Sequence, residues 1–277
     1  MKPLFSCVFT LLIFLGSCTS NQPSAIADLK TQSFSMRIGE QGAILDFTDI
    51  SSGQDYLAQD SASALLSLRI DGEVIPPRSA SMEGGILRLT FDDNVQAEIR
   101  IEEKDTHITF ELTSLTKQED VDLVLWGPYY TSIGKTIGET VGVVRDDTFA
   151  VGIQSLNIKT LGGYPWNESD RMPAFDVIRA DNPDDMHPES DGSVLYRVEA
   201  AKPTASGSSL QAYSRNRSKA RIIQDFNHER IMAPPHEDGG VVGSKIAIFG
   251  SPTQEALATV GAIEVAEGLP HPMIDGQ

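Results

Sequence analysis

The stretch that most constrains the fold of this chain runs from Val121 to Tyr164. It holds three short apolar runs, at Val121 to Trp126, Val141 to Val144 and Phe149 to Ile153, separated by glycines and charged turns. Such runs, with β-branched residues and no helical periodicity, are typical of strands buried on both faces. We therefore expect this stretch to be the middle of an all-β domain, with its first strand stopped by Gly127-Pro128.

Apolar and polar residues alternate along much of the remaining chain, as at Phe34, Met36 and Ile38. This alternation predicts strands with one buried side and one solvent-facing side. Repeated at regular spacing, it favours an antiparallel two-sheet β-sandwich with polar outer faces. One short C-terminal helix is also expected, because a capping pattern over residues 251–254 precedes apolar residues at helical spacing, namely Ala256, Leu257, Val260 and Ile263.

The overall charge excludes one class of partner. The 277 residues carry a formal net charge of -17, and 40% of them are hydrophobic, enough for a substantial core. An acidic surface of this kind repels phosphate backbones, so we expect no binding to nucleic acid.

The first 17 residues have the layout of a bacterial lipoprotein signal peptide. Lys2 precedes an apolar stretch from Leu4 to Leu15, which is too short to span a bilayer as a stable helix. The following Leu15-Gly16-Ser17-Cys18 resembles a lipobox, which implies lipidation of Cys18; an ordinary signal peptide is the alternative. We expect a tether over residues 18–32, attachment to the membrane through the lipid alone, and an outer-membrane location with the periplasmic or surface face left open.

Two segments near the start of the domain resemble a known family. Ile38 to Asp49 reads strand, glycine turn, strand, and Ser52 to Leu57 adds a Gly-x-x-Tyr turn. Together they are similar to the opening hairpin of galactose-mutarotase-like β-supersandwich domains. Such domains commonly precede a (β/α)8 catalytic barrel in polysaccharide-degrading glycoside hydrolases of Bacteroidetes-type bacteria. The resemblance implies a β-sandwich over residues 33–266 and an extended connector over residues 267–277, with the catalytic barrel missing or separate.

Aromatic residues around the organising stretch are the candidate carbohydrate-binding group, because sugars stack their C–H faces on aromatic rings. We expect Trp126 to belong to the core. The candidates for glycan contact are Tyr129, Tyr130, Tyr164, Trp166, Asn167 and Arg171, although packing of the loop that carries Trp166 is an equal alternative for that residue.

A second candidate surface consists of basic residues at every second position, which a strand would place on one face. Guanidinium groups there would bind a sulfated or uronate polysaccharide, and a charged edge strand is the alternative. These residues are Arg215, Arg217, Lys219 and Arg221.

Other polar groups carry weaker signals. His107 falls in an alternating strand pattern and is expected at the surface. A histidine and carboxylate pair from His236, Glu237 and Asp238 would suit an aldose epimerase, but the alternative of a solvated loop is favoured. The acidic run over residues 181–185 is expected to be solvated rather than to bind calcium. We therefore assign no catalytic residue, metal or cofactor.

Together these patterns predict a lipid-anchored, non-catalytic module that binds a poly- or oligosaccharide or supports a glycoside hydrolase barrel. Two alternatives remain open at this point. One is a stand-alone aldose epimerase, and the other is an envelope interaction protein without sugar contact.

Overall fold

The computed structural model of the chain describes residues 24–164, 174–175, 195–196, 199–225 and 228–270, without the side chains of 174–175, 195–196 and 221–231. Three short 3-10 turns lie at Asp92–Asn94, Gln118–Asp120 and Thr253–Glu255, and the helix α1 spans Ala256–Ala266. The strands, in chain order, are β1 Ala25–Lys30, β2 Phe34–Gly39, β3 Ile44–Asp49, β4 Leu66–Ile70, β5 Glu73–Ile75, β6 Ser79–Glu83, β7 Ile86–Thr90, β8 Gln96–Glu103, β9 Ile108–Leu115, β10 Val121–Thr131, β11 Thr136–Gly138, β12 Val143–Arg145, β13 Phe149–Ser155, β14 Leu161–Gly162, β15 Ala174–Phe175, β16 Leu195–Tyr196, β17 Ala201–Thr204, β18 Gly207–Arg215, β19 Arg221–Asp225, β20 His228–Ala233 and β21 Lys245–Pro252.

These strands form three main antiparallel sheets, which confirms the predicted all-β sandwich. The eight-stranded sheet has the order β11-β12-β13-β21-β9-β8-β7-β6. The six-stranded sheet has the order β14-β18-β10-β4-β5, with β17 also paired to β18, and the three-stranded sheet is β1-β2-β3. The pairs β15-β16 and β19-β20 stand apart from them.

One hydrophobic core is shared by the three main sheets. It includes Phe34 and Phe47 of the three-stranded sheet, Trp126 of the six-stranded sheet, and Phe110 and Ile248 of the eight-stranded sheet. The side chain of Trp126 is fully buried, so the assignment of this residue to the core is confirmed. Burying a side chain of this type contributes about 1.5–3 kcal/mol, which makes this shared core the main source of stability.

The helix α1 covers part of the outer face of the eight-stranded sheet, where Ala256 and Ile263 pack against Ala150 and Phe249. The prediction of its start is wrong. Ser251 and Pro252 belong to β21, and the helix begins after a 3-10 turn without a side-chain cap. Leu257, expected on the packed face, is 72% exposed. Among the residues that the structure describes, no helix has the length and apolar character needed to cross a membrane.

Both ends of the domain differ from the sequence-based boundaries. The predicted tether contains β1, whose Leu29 pairs with Met36 of β2, so the sandwich begins before residue 33. The predicted connector begins with Glu267, whose side chain is only 4% exposed. Cys18 and the signal segment lie outside the described residues.

Candidate functional site

A cleft of about 440 Å³ lies on the face of the six-stranded sheet that points away from the core. Its volume is within the range of small-molecule sites, which is about 300–1,000 Å³. We call it the binding cleft. Its described lining residues come mainly from β10, β17, β18 and the chain beside β14: Val74, Leu125, Trp126, Gly127, Pro128, Tyr130, Gly163, Tyr164, Lys202, Pro203, Thr204, Ser209, Gln211 and Ala212.

A bulge in β10 decides which tyrosine faces the cleft. Strand β10 continues through Gly127-Pro128, where we expected it to stop. Trp126 pairs with Ala212 but Tyr129 pairs with Leu210, so β10 has one extra residue at this point. Gly127 has a φ of +89°, and a Cβ there would lie 2.7 Å from the carbonyl oxygen of Leu210, so the bulge requires glycine.

The extra residue turns Tyr129 into the core and Tyr130 towards the cleft. The Tyr129 ring is fully buried, packs edge-on against Phe47, and donates its hydroxyl to the carbonyl oxygen of Leu65 at 2.7 Å. The prediction that Tyr129 contacts glycan is therefore wrong, because no face of its ring reaches solvent. Tyr130 is partly exposed and lines the cleft.

Polar side chains without hydrogen-bond partners surround Tyr130. Ser209 pairs with Tyr130 on one side and with Lys202 on the other, so the three residues form a row across β10, β18 and β17. Ser209 is 6% exposed and Gln211 is 9% exposed. Neither side chain makes a hydrogen bond to another described residue. The Oγ1 of Thr204 is buried and likewise has no partner there.

Charge in the cleft is nearly balanced. The Lys202 ammonium lies 2.7 Å from the Glu199 carboxylate, so the row carries no uncompensated cation. Tyr164 packs beside Leu123, Leu125 and Tyr213, on the same face of the sheet. The cleft thus combines two tyrosines with neutral hydroxyl and amide groups.

The remaining aromatic candidates cannot be placed. Trp166, Asn167 and Arg171 lie outside the described residues, as does the acidic run over residues 181–185. Of the six glycan-contact candidates, the structure therefore brings together Tyr130 and Tyr164.

The predicted basic surface does not form. Arg215 ends β18 and is 3% exposed, and the chain leaves strand geometry before Arg221 begins β19. Arg217 is half-buried and Lys219 is exposed, while the side chain of Arg221 lies outside the described residues. The prediction of four cations on one face is wrong, because the spacing of two residues places side chains together only within a continuous strand.

Arg215 belongs instead to an ion-pair group that the sequence analysis missed. Its Nη1 lies 3.2 Å from Oδ1 of Asp122, and the guanidinium of Arg69 also bonds Asp122. Both arginines flank Leu123 in neighbouring strands, on the cleft side of the six-stranded sheet. Asp122 bonds both guanidinium groups, and its single negative charge offsets part of their positive charge.

His107 is fully buried rather than at the surface, which corrects the sequence-based prediction. Its Nε2 lies 3.1 Å from Glu267, and its Nδ1 lies 2.9 Å from the Thr106 hydroxyl. Burial lowers the pKa of His107, so its neutral form satisfies both partners. Burial alone would raise the pKa of Glu267, but bonds from Lys104, Lys245 and His107 outweigh it and lower that pKa to about 2.

The histidine and carboxylate that would suit an epimerase are bonded to separate cations. His236 accepts a hydrogen bond from Arg217 at 3.3 Å, and Asp238 lies 2.9 Å from the buried ammonium of Lys159. Burial, Arg217 and Lys159 all lower the pKa of His236. Neither His236 nor Asp238 lines the binding cleft.

The polar residues of the cleft were missed by sequence analysis, although a signal was present. Ser209 and Gln211 alternate with the apolar Leu210 and Ala212, a pattern that predicts a strand with both polar residues on one face. Thr204 and Lys202 enter the site only through the pairing of β17 with β18. The chain matches no protein-family model, and no curated protein is significantly similar to it.

Proposed function

We propose that this protein is a non-catalytic carbohydrate-binding module whose binding cleft receives a sugar ring on Tyr130 and Tyr164. The observation that carries this proposal is a group of polar side chains in the cleft that bond no other described residue: Ser209, Gln211 and Thr204, of which the Thr204 Oγ1 is buried.

The chemistry of these groups favours a polyhydroxyl ligand. Hydroxyl and amide side chains both donate and accept hydrogen bonds, as sugar hydroxyls do. An apolar ligand would shield these groups from water without bonding them, at a cost of about 1–3 kcal/mol for each group that it buries. A sugar satisfies them while its C–H face rests on a tyrosine ring.

The local charge favours a neutral sugar over an acidic one. Lys202 is paired with Glu199, and Arg69 and Arg215 are bonded to Asp122. Lys202 is the one charged side chain among the described lining residues of the cleft, and its pairing with Glu199 leaves little attraction for an anionic sugar there.

The cellular setting is part of the proposal and depends on sequence patterns. The lipobox-like Leu15 to Cys18 supports a lipid anchor in the bacterial cell envelope. The segment from Ile38 to Leu57 resembles galactose-mutarotase-like modules, so the proposed partner is the catalytic barrel of a polysaccharide-degrading glycoside hydrolase. Support of such a barrel is compatible with glycan binding by the same domain.

The test is a glycan array with the detergent-purified full chain, followed by calorimetry on the glycan that binds. Tyr130→Ala and Tyr164→Ala should each weaken binding at least tenfold. Tyr129→Phe is the matched control, because Tyr129 is adjacent in sequence but faces the core. A blank array, or equal affinity of all variants, would overturn the proposal and favour an envelope protein without sugar contact.

A further inference from the structure

A second cavity of about 350 Å³ adjoins the binding cleft. It lies among helix α1, the end of β13 and the strands β14 and β18. Gln211 and Ala212 line both cavities. Val260 and Glu264 line the second one from the helix side.

Gln211 occupies a position where the neighbour of β18 changes. Residues 207–210 pair with β17, and residues 212–213 pair with β14. Between these two segments, the backbone N–H of Gln211 donates to the carbonyl oxygen of Ala200. Its own carbonyl oxygen accepts from the N–H of Gly163. The Gln211 side chain makes no hydrogen bond within the described residues, so it is free to bond a ligand at the junction of the two cavities.

The second cavity contains its own unsatisfied acceptor. The Oε1 of Gln154 is buried and has no hydrogen-bond partner in the described part of the chain. Gln154 follows Ile153, which faces the core, so its side chain lies on the opposite face of β13. A buried amide oxygen without a partner is uncommon and indicates a group that a ligand or solvent satisfies.

Glu264 supplies a second acceptor. Its carboxylate is partly exposed at the cavity and forms no ion pair with any described residue. The two acceptors together select a ligand that donates hydrogen bonds. A carboxylate or sulfate group would be repelled by Glu264 and would leave Gln154 unsatisfied.

We propose that the second cavity binds the next unit of the same glycan, through hydroxyl groups that donate to Gln154 and Glu264. The inference rests on the proposed function of the binding cleft and adds a length requirement to it. The protein then recognises a neutral chain of at least two sugar units, with Gln211 at the junction between them.

The test compares short and long probes by calorimetry on the full chain. Glucose and galactose serve as monosaccharides, and lactose, cellobiose and cellotetraose serve as longer probes. At least one longer probe should bind at least tenfold more tightly than its monosaccharide. Gln154→Leu should reduce the ratio of these two affinities at least fivefold. Glu264→Gln should also reduce this ratio.

Leucine is chosen because it nearly matches glutamine in shape and removes an unpaired buried group, so folding should be retained. The matched control is Gln254→Leu, at an exposed glutamine outside both cavities. Equal affinity for short and long probes, or an unchanged gain in Gln154→Leu, would overturn this inference and leave the proposed function standing. Failure of every probe to bind, together with a blank glycan array, would overturn both.

Discussion

The indole Nε1 of Trp126 donates a hydrogen bond of 2.8 Å to the hydroxyl of Ser244 inside the sandwich. Ser244 in turn lies 2.5 Å from the hydroxyl of Ser214 and 3.2 Å from that of Thr160. The bond joins β10 of the six-stranded sheet to the residue before β21 of the eight-stranded sheet. One buried hydroxyl therefore connects the two large sheets through side chains alone.

Ser244→Ala should lower the free energy of unfolding by about 1–3 kcal/mol, because the Trp126 indole would remain buried without an acceptor. Urea unfolding at neutral pH measures the change. Ser251→Ala is the matched control, since the hydroxyl of Ser251 is buried and already unpartnered among the described residues. Its removal should be neutral or slightly stabilising, and equal losses in the two variants would contradict the explanation.

Glu267→Gln should destabilise the protein at neutral pH and flatten its response to acid. The folded-state pKa of Glu267 is about 2, below the ordinary value of 4.5. Its contribution is therefore complete above pH 4.5 and is lost as the pH falls towards about 2. Denaturant unfolding at a series of pH values between 7 and 2 measures both effects.

The control for this series is Glu237→Gln, at an exposed carboxylate with no ion pair in the described part of the chain. Its stability curve should follow that of the wild type. Parallel curves for Glu267→Gln and the wild type would show that the bonds to Lys104, Lys245 and His107 contribute nothing to stability.

Asp122→Asn should lower the free energy of unfolding by about 1.5–3 kcal/mol, because it removes the charged acceptor that bonds both Arg69 and Arg215. Thermal and urea unfolding give the value. Asp147→Asn breaks a surface ion pair with Lys135 and should cost less than about 1 kcal/mol. A loss at Asp122 no larger than the loss at Asp147 would contradict the assigned role.

Tyr129→Phe should cost about 1 kcal/mol, the usual value of one hydrogen bond. Burial raises the pKa of Tyr129 well above 10, so its contribution is present below pH 10 and is lost as the pH rises past it. The difference in unfolding free energy between wild type and Tyr129→Phe should therefore shrink in alkali. Tyr130→Phe, on the opposite face, should leave the unfolding free energy unchanged at every pH.

The alternation of apolar residues predicted most strands of this sandwich, because one buried face per strand leaves a period of two in the sequence. It failed at Tyr129 and Tyr130 for a physical reason. Counting by twos from Trp126 would place Tyr130 in the core, and the bulge at Gly127 reverses the faces beyond it. The glycine signalled a break, but a break and a bulge have the same local composition.

Buried charges were unpredictable because their partners are distant in the chain. Asp122 and Arg215 are 93 positions apart, and His107 and Glu267 are 160 apart. Each of these residues is typical of a surface when considered alone, and only strand order reveals the pair. The same holds for Lys202, which reaches the cleft through the pairing of β17 with β18.

The early start of β1 changes how far the domain reaches from a membrane. If Cys18 carries a lipid, the seven steps from Cys18 to Ala25 can extend no more than about 25 Å. A domain of this size is roughly 45 Å across by the scaling of compact chains. The tether is then shorter than the domain is wide, so a lipid at Cys18 would keep the domain next to the lipid headgroups and leave it mainly rotation about its attachment point.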